Sequence, residues 1–315
     1  MANTARKITI VGTGLVGSTI AYTLTTAGTA SEIVLIDVDK KRAEGEAMDI
    51  EHISPFYKES LIRPGDYPDA RGSDLIIVTA GTNQRPGETR MDLIGRNANI
   101  VRSVAKGIKE KCKETNILVI SNPVDVMARV MQEETGFAKE HVIGSGTNLD
   151  SARFRYLLAT KFGVDSRNIH AYILGEHGDS EFAAWSNVHI AGMNINEASD
   201  VFGGVMNDFD YINMENNTKK AAYEIINRKK ATYYGIAASA VRISEAILRD
   251  EKSILPVSVK LDGQYGLKGV YLSLPTVLGQ DGVVRVVTPY LSELEEGKLH
   301  HSAQVLADAY NGIKK

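Results

Sequence analysis

At 315 residues the chain is longer than a single compact domain usually runs, so two packed domains are expected. Hydrophobic residues make up 43% and charged residues 24%, a composition that excludes a disordered or fibrous chain. With 36 Lys and Arg against 39 Asp and Glu the net charge is −3, which gives neither nucleic acid nor an anionic membrane surface an electrostatic footprint to bind.

Met1 to Lys7 carries no basic leader ahead of a long apolar core, and no apolar run approaches the ~18 residues of a membrane span, so the expected location is the cytoplasm. The first half alternates short apolar runs, Ile8–Val11, Ile33–Ile36, Leu75–Thr79 and Ile117–Ser121, with helix-patterned stretches at Leu15–Ala27, Lys40–His52 and Met91–Cys112. Runs that are apolar on both faces suit buried parallel strands covered by crossover helices, so residues 1–145 are expected to form a doubly wound parallel sheet of Rossmann type. Cys112 is the single cysteine, which excludes an intramolecular disulfide and a Cys-rich metal site.

After Gly144 the pattern changes, and residues 146–315 are expected to form a second, α+β domain. Its predicted elements are a helix at Ser151–Lys161, a β-rich run at His170–Gly175, helices at Asn216–Asn227 and Thr232–Arg249, and a tight turn at Gln280–Asp281–Gly282. An acidic-to-basic amphipathic helix from Ser292 to Ile313 closes the chain.

The strand Lys7–Val11 runs directly into Gly12-Thr-Gly14-Leu-Val-Gly17, which opens the first helix; this context turns a weak glycine pattern into a dinucleotide signal. Gly12 permits the tight turn, Gly14 lets backbone approach a pyrophosphate, and Gly17 allows close helix–strand packing. Asp37 ends the next strand about 20 residues past the last glycine, where a carboxylate accepts both ribose hydroxyls and repels a 2′-phosphate, favouring NAD; Arg42 nearby keeps NADP in view. A nicotinamide moves a hydride without its proton, so a titratable group must stand by the reacting oxygen. His177 is the candidate, in the glycine-flanked turn Gly175-Glu-His177-Gly-Asp179, where an exposed site histidine fits better than a core one. No cluster of metal ligands is expected around it.

Thr79-Ala-Gly81, Gln84-Arg-Pro-Gly-Glu-Thr-Arg90, Ser121-Asn-Pro123-Val-Asp125, Asn148-Leu-Asp150-Ser-Ala-Arg153 and the His177 turn, in this order with the glycine fingerprint, resemble the lactate/malate dehydrogenase family over nearly the whole chain. In detail they look like its bacterial L-lactate branch, which implies reversible NADH-dependent reduction of pyruvate to L-lactate. The resemblance implies that His177 moves the proton, that Asp150 holds its imidazole, and that Arg153 binds the substrate carboxylate through a bidentate fork. It further implies that Arg90 polarises the carbonyl, that Asn122 and Thr232 line the pocket, and that Val16, Tyr67, Gly81, Thr82 and Asn122 join Gly12, Gly14, Gly17, Asp37 and Arg42 around NAD. The bland readings are helix N-capping for Asp150 and surface salt bridges for the arginines.

In this family the residue at Gln84 faces the variable end of the substrate, and malate enzymes carry arginine there. Glutamine offers no counter-charge to a second carboxylate, and Glu88 adds repulsion, so pyruvate is favoured over oxaloacetate; the neighbouring Arg85 would reverse this if the loop register shifted by one. The alternatives are a malate dehydrogenase and a non-catalytic NAD-binding protein. Arg155 lies two residues beyond Arg153 and so points elsewhere on a helix. With His170 it resembles the fructose 1,6-bisphosphate site of bacterial relatives, which implies a homotetramer activated by that sugar.

Overall fold

The structure, a computed structural model, describes residues 6–82 and 89–314, and of Arg90 the backbone alone; Gln84, Arg85 and Glu88 lie outside the described residues. The first half runs β1 (Lys7–Val11), α1 (Leu15–Thr26), β2 (Glu32–Ile36), α2 (Lys40–Glu51), β3 (Leu61–Pro64), β4 (Leu75–Val78), α3 (Arg90–Lys111), β5 (Asn116–Val119), α4 (Val124–Thr135) and β6 (Val142–Gly144). Strands β3, β2, β1, β4, β5 and β6 lie side by side in that order, all parallel. Every residue of β4 and β5 is buried, as a strand covered by helices on both faces requires. The chain moves outward from β1 to β3 and then returns to β4 on the other side of β1. This reversal opens a crevice at the carboxyl ends of β1 and β4, where open α/β sheets bind their ligands.

The second half runs α5 (Asn148–Phe162), β7 (Ile169–His170), β8 (Ile173–Leu174), β9 (Phe182–Ala183), β10 (His189–Ile190), β11 (Met193–Asn194), α6 (Ile195–Phe202), α7 (Asp208–Lys229), α8 (Tyr234–Leu248), β12 (Ser253–Asp262), β13 (Lys268–Gly279), β14 (Gly282–Val286) and α9 (Glu293–Ile313). Its sheet is not wholly its own. β12 pairs antiparallel with β6, so β12, β13 and β14 extend the parallel sheet to nine strands. One apolar core accordingly runs from Ile8 and Ile33 through Leu118 to Leu272 and Leu306, while a smaller cluster around Phe154, Leu158 and Ile190 packs α5 onto the short strands.

Several predicted elements shift. The β-rich run at His170–Gly175 divides into β7 and β8, which belong to different small sheets. The helix expected from Ser151 begins at Asn148 with Thr147 at its N-cap, so Asp150 stands inside the first turn and is not the cap. The last helix has Glu293, Glu295 and Glu296 in its first turn, matching the positive end of its dipole, but no basic residue in its last turn. The Gln280–Asp281 turn forms as expected, with Gly279 paired to Gly282 at φ +84°.

Candidate active site

The glycine turn after β1 has a steric cause at each position. Gly12 sits at φ +104°, and a Cβ there would lie 2.7 Å from the Ala80 amide nitrogen. A Cβ on Gly17 would fall 1.9 Å from the Gly12 carbonyl oxygen, so only glycine lets α1 pack this tightly on the turn. Gly14 differs, because a Cβ there would meet nothing within 4 Å; the space above it is open to a ligand. Gly14 also caps α1 without a side-chain bond, whereas α2, α3 and α9 are capped by Asp39, Thr89 and Ser292. The first amides of α1 thus keep donor capacity and positive dipole facing an open cradle, a donor set that fits a pyrophosphate.

Asp37 follows β2 beside that cradle. Its Oδ2 accepts from the Thr13 amide at 2.6 Å and the Thr13 hydroxyl at 3.0 Å, and its Oδ1 accepts from the Asp39 amide at 3.0 Å. Partial burial works against ionisation, but these bonds and the charge of Arg42 outweigh it and hold the carboxyl below its ordinary range. An ionised acceptor next to a phosphate cradle fits the ribose diol of NAD. Val16 is half-buried on α1. Thr82 is held by Asn97, whose Oδ1 accepts from the Thr82 amide at 2.9 Å, and Gly81 lies next to the same side chain. Tyr67 is turned onto α3, its ring filling the space left by the missing side chain of Gly107.

Across the crevice stands His177. Its ring Nδ1 lies 2.7 Å from Asp150 Oδ2, and Asp150 Oδ1 accepts from Arg153 Nη1 at 2.8 Å. Residues three apart share a helix face, so α5 carries Asp150 and Arg153 as one unit. The backbone amide of His177 donates to Asp125 Oδ2 at 2.8 Å, which fixes the turn to α4. The histidine is less exposed than expected, its side chain keeping 28% accessibility against 3% for Asp150. Burial opposes a charged imidazole, but the charge and hydrogen bond of Asp150 outweigh it and lift the ring to about 9. Burial likewise opposes the Asp150 carboxylate and is overcome by His177 and Arg153, so the pair is ionic at neutral pH. A cavity of about 310 Å³ gathers Asn122, Asp150, Arg153 and His177 with Ile94, Glu181 and Lys219. An imidazolium, a guanidinium and an open wall can together bind an organic acid and hand it a proton.

Thr232 is half-buried between α7 and α8 and is not among the described residues that line this cavity. The expectation that no cluster of metal-ligand types surrounds His177 needs correction, because ligand atoms of Asp150, His177 and Glu181 lie within 4.8 Å of one another. Both Asp150 oxygens are already taken by His177 and Arg153, so the trio reads as a charge network. Arg155 and His170 do come together, in a separate cavity of about 540 Å³ that also includes Tyr172 and Arg242.

Sequence reading missed Asn97, Asp125 and Glu181. Asn97 is buried and bridges two segments, its Nδ2 donating to the Asn122 carbonyl at 2.8 Å and to the Thr82 carbonyl at 3.2 Å. Asp125 reads in the sequence only as the end of the Ser121–Asp125 motif, yet it holds the His177 turn; burial pushes its carboxyl up to about 6. A polar residue on the apolar face of a helix pattern is the one local sign that could have flagged Asn97.

Residues 6–144 match the NAD-binding domain of the lactate/malate dehydrogenase family, and residues 147–315 match its alpha/beta C-terminal domain. The chain is 46% identical over 307 residues to L-lactate dehydrogenase 1 of Clostridium acetobutylicum, covering 98% of each. It is 48% identical over 301 residues to the L-lactate dehydrogenase of Priestia megaterium, covering 96% of this chain and 94% of that protein. Among solved structures, a lactate dehydrogenase from a Medee basin deep-sea metagenome library superposes with a TM-score of 0.96 at 45% identity, over 99% of both chains. The ligand-bound minor L-lactate dehydrogenase of Enterococcus mundtii gives 0.95 at 40% identity, also over 99% of both. The fold, the glycine cradle and the His177 network therefore sit in a chain that belongs to the lactate/malate dehydrogenase family.

Proposed function

We propose that the chain is an L-lactate dehydrogenase, reducing pyruvate to L-lactate with NADH and running the reverse reaction with NAD. The observation that carries this reading is the line Arg153–Asp150–His177, joined at 2.8 and 2.7 Å beside an open cavity. When bound, the nicotinamide supplies or takes up the hydride. His177 holds its proton below about 9 and gives it to the carbonyl oxygen of pyruvate; in its neutral form it accepts the hydroxyl proton of lactate. Asp150 fixes the tautomer by occupying Nδ1, which leaves Nε2 for the substrate. Arg153 receives the substrate carboxylate, Arg90 polarises the carbonyl, Asn122 borders the substrate, and Gln84 meets its methyl end. The division into a cofactor half, 1–145, and a substrate half, 146–315, belongs to the same reading. So do the cofactor roles of Gly12, Gly14, Val16, Gly17, Asp37, Arg42, Tyr67, Gly81, Thr82 and Asn122. Steady-state kcat/KM for pyruvate against oxaloacetate with NADH tests it, and a preference for oxaloacetate makes the protein a malate dehydrogenase.

The finer reading is a cytoplasmic homotetramer that ends fermentative glycolysis and is activated by fructose 1,6-bisphosphate at Arg155 and His170. Their shared cavity supports the effector role, and exposed Tyr156, Val205, Phe209 and Ile212 support burial against other subunits. Pyruvate saturation curves with and without the bisphosphate, run beside light scattering, test both. Superimposed curves remove the effector, and a monomer mass removes the tetramer.

A further inference from the structure

Glu181 makes none of the bonds that orient His177, yet its carboxyl belongs to the same group of charges. It follows the His177 turn directly into β9, is 3% exposed, and its Oε1 has no hydrogen-bond partner among the described residues. Ligand atoms of Glu181, Asp150 and His177 lie within 4.8 Å of one another. The side chain also forms a wall between two cavities. One is the catalytic cavity, and the other, of about 370 Å³, is bordered by Glu215, Lys219, Lys298 and His301.

The titratable groups that share these two cavities with Glu181 are Asp150 and Arg153 from α5, His177, Asp179 and Glu176 from its own turn, Lys219, Glu215 and Tyr223 from α7, and Lys298 and His301 from α9. Lys219, which lines both cavities, bonds Glu215 at 3.2 Å. A substrate carboxylate on Arg153 brings a further negative charge into the cavity that Asp150 and Glu181 already line. An ionised Glu181 would set a second carboxylate within 4.8 Å of that of Asp150, beside the incoming one. Burial first, then the charge of Asp150, push the Glu181 carboxyl up to about 9 against the pull of His177, Lys219 and Arg153.

We propose that Glu181 is a positioning residue held as the neutral acid, and that its proton keeps a second carboxylate charge away from Asp150 and from a carboxylate on Arg153; losing that proton expels substrate and leaves the chemical step itself intact. The inference rests on the reading of Arg153 as the carboxylate receptor of an L-2-hydroxy acid enzyme.

Lactate oxidation provides the cleaner test. Neutral His177 is the form that accepts the lactate proton, so its deprotonation favours this direction as pH rises. The expected result is a lactate KM that climbs about tenfold per pH unit above Glu181's titration while kcat stays level. Glu181→Gln, fixed in the neutral form, should flatten that climb, and Glu181→Ala should raise KM where Gln restores it. Difference infrared spectroscopy gives a readout independent of turnover: at pH 7 the wild-type protein should show a protonated-carboxyl band that Glu181→Gln lacks. An identical alkaline rise in Glu181→Gln, or a missing wild-type band, overturns the proposal. A wild-type enzyme with the band but no turnover of pyruvate or lactate refutes the substrate reading, and with it the stated role of the proton.

Discussion

Replacing Asp150 with Asn keeps the shape of the α5 first turn and removes the charge that sustains His177. In the intact pair the imidazole titrates at about 9, against an ordinary value of 6.5, even though burial pulls the other way. Without the carboxylate, burial meets only the smaller opposing charges of Glu181 and Asp125, so the ring should fall to about 6.5. A fall of more than two units is about 3 kcal/mol of lost preference for the protonated ring. At pH 7 the wild-type ring is almost fully charged, whereas the variant's is mostly neutral, and Arg153 faces a neutral amide in place of its 2.8 Å carboxylate partner. The sign follows from the raised value: the proton-donating form is complete below 6.5 and disappears as pH climbs through about 9 in the wild type. The assay is kcat/KM for pyruvate reduction from pH 5 to 10. The wild type should hold a plateau to about 9; the variant should decline from about 6.5, losing about fourfold at pH 7 and on the order of a hundredfold by about pH 8.5. A variant whose alkaline limb coincides with the wild type would refute the claim that Asp150 sets the histidine's proton affinity.

Asn97→Leu leaves the Thr82 amide and the Asn122 carbonyl without their buried partner, so unfolding in urea should show a loss of about 1–3 kcal/mol together with a raised KM for NADH. An unchanged KM would mean that this bridge does not shape the cofactor side. Asp125 has its carboxyl raised by burial from 3.8 to about 6, so the folded state binds the proton more tightly. Its contribution to stability is complete below 3.8 and lost as pH rises through about 6, roughly 3 kcal/mol in all. Asp125→Asn keeps an acceptor for the His177 amide without the charge, so its Tm should depend less on pH between 4 and 6 than the wild type's. Equal slopes would contradict the assignment.

What could be read from the sequence was local. The glycine turn, Asp37 and the His177 turn are contiguous patterns whose backbone demands fix their residue types, and β1, β2, β4 and β5 announce themselves as apolar runs. β3 gave no such sign, because an edge strand with Leu61 exposed and Pro64 at its end needs no apolar face. The bond from the His177 amide to Asp125 joins residues 52 positions apart, and nothing near either one records it. Glu181 reads as an ordinary acid between Ser180 and Phe182, and only the folded chain shows that water is kept from it. Residue spacing likewise could not reveal that β12 adds to β6, since antiparallel pairing between distant strands depends on the assembled core.

That shared strand pair has a mechanical consequence. With Ser258 laddered to Gly144, the backbone is stitched across the boundary between the halves, and a clamshell motion of one against the other would tear main-chain bonds and split a common apolar interior. The glycine turn after β1 and the start of the His177 turn, bridged at Gly175 to Ser273 of β13, thus hang from one continuous sheet.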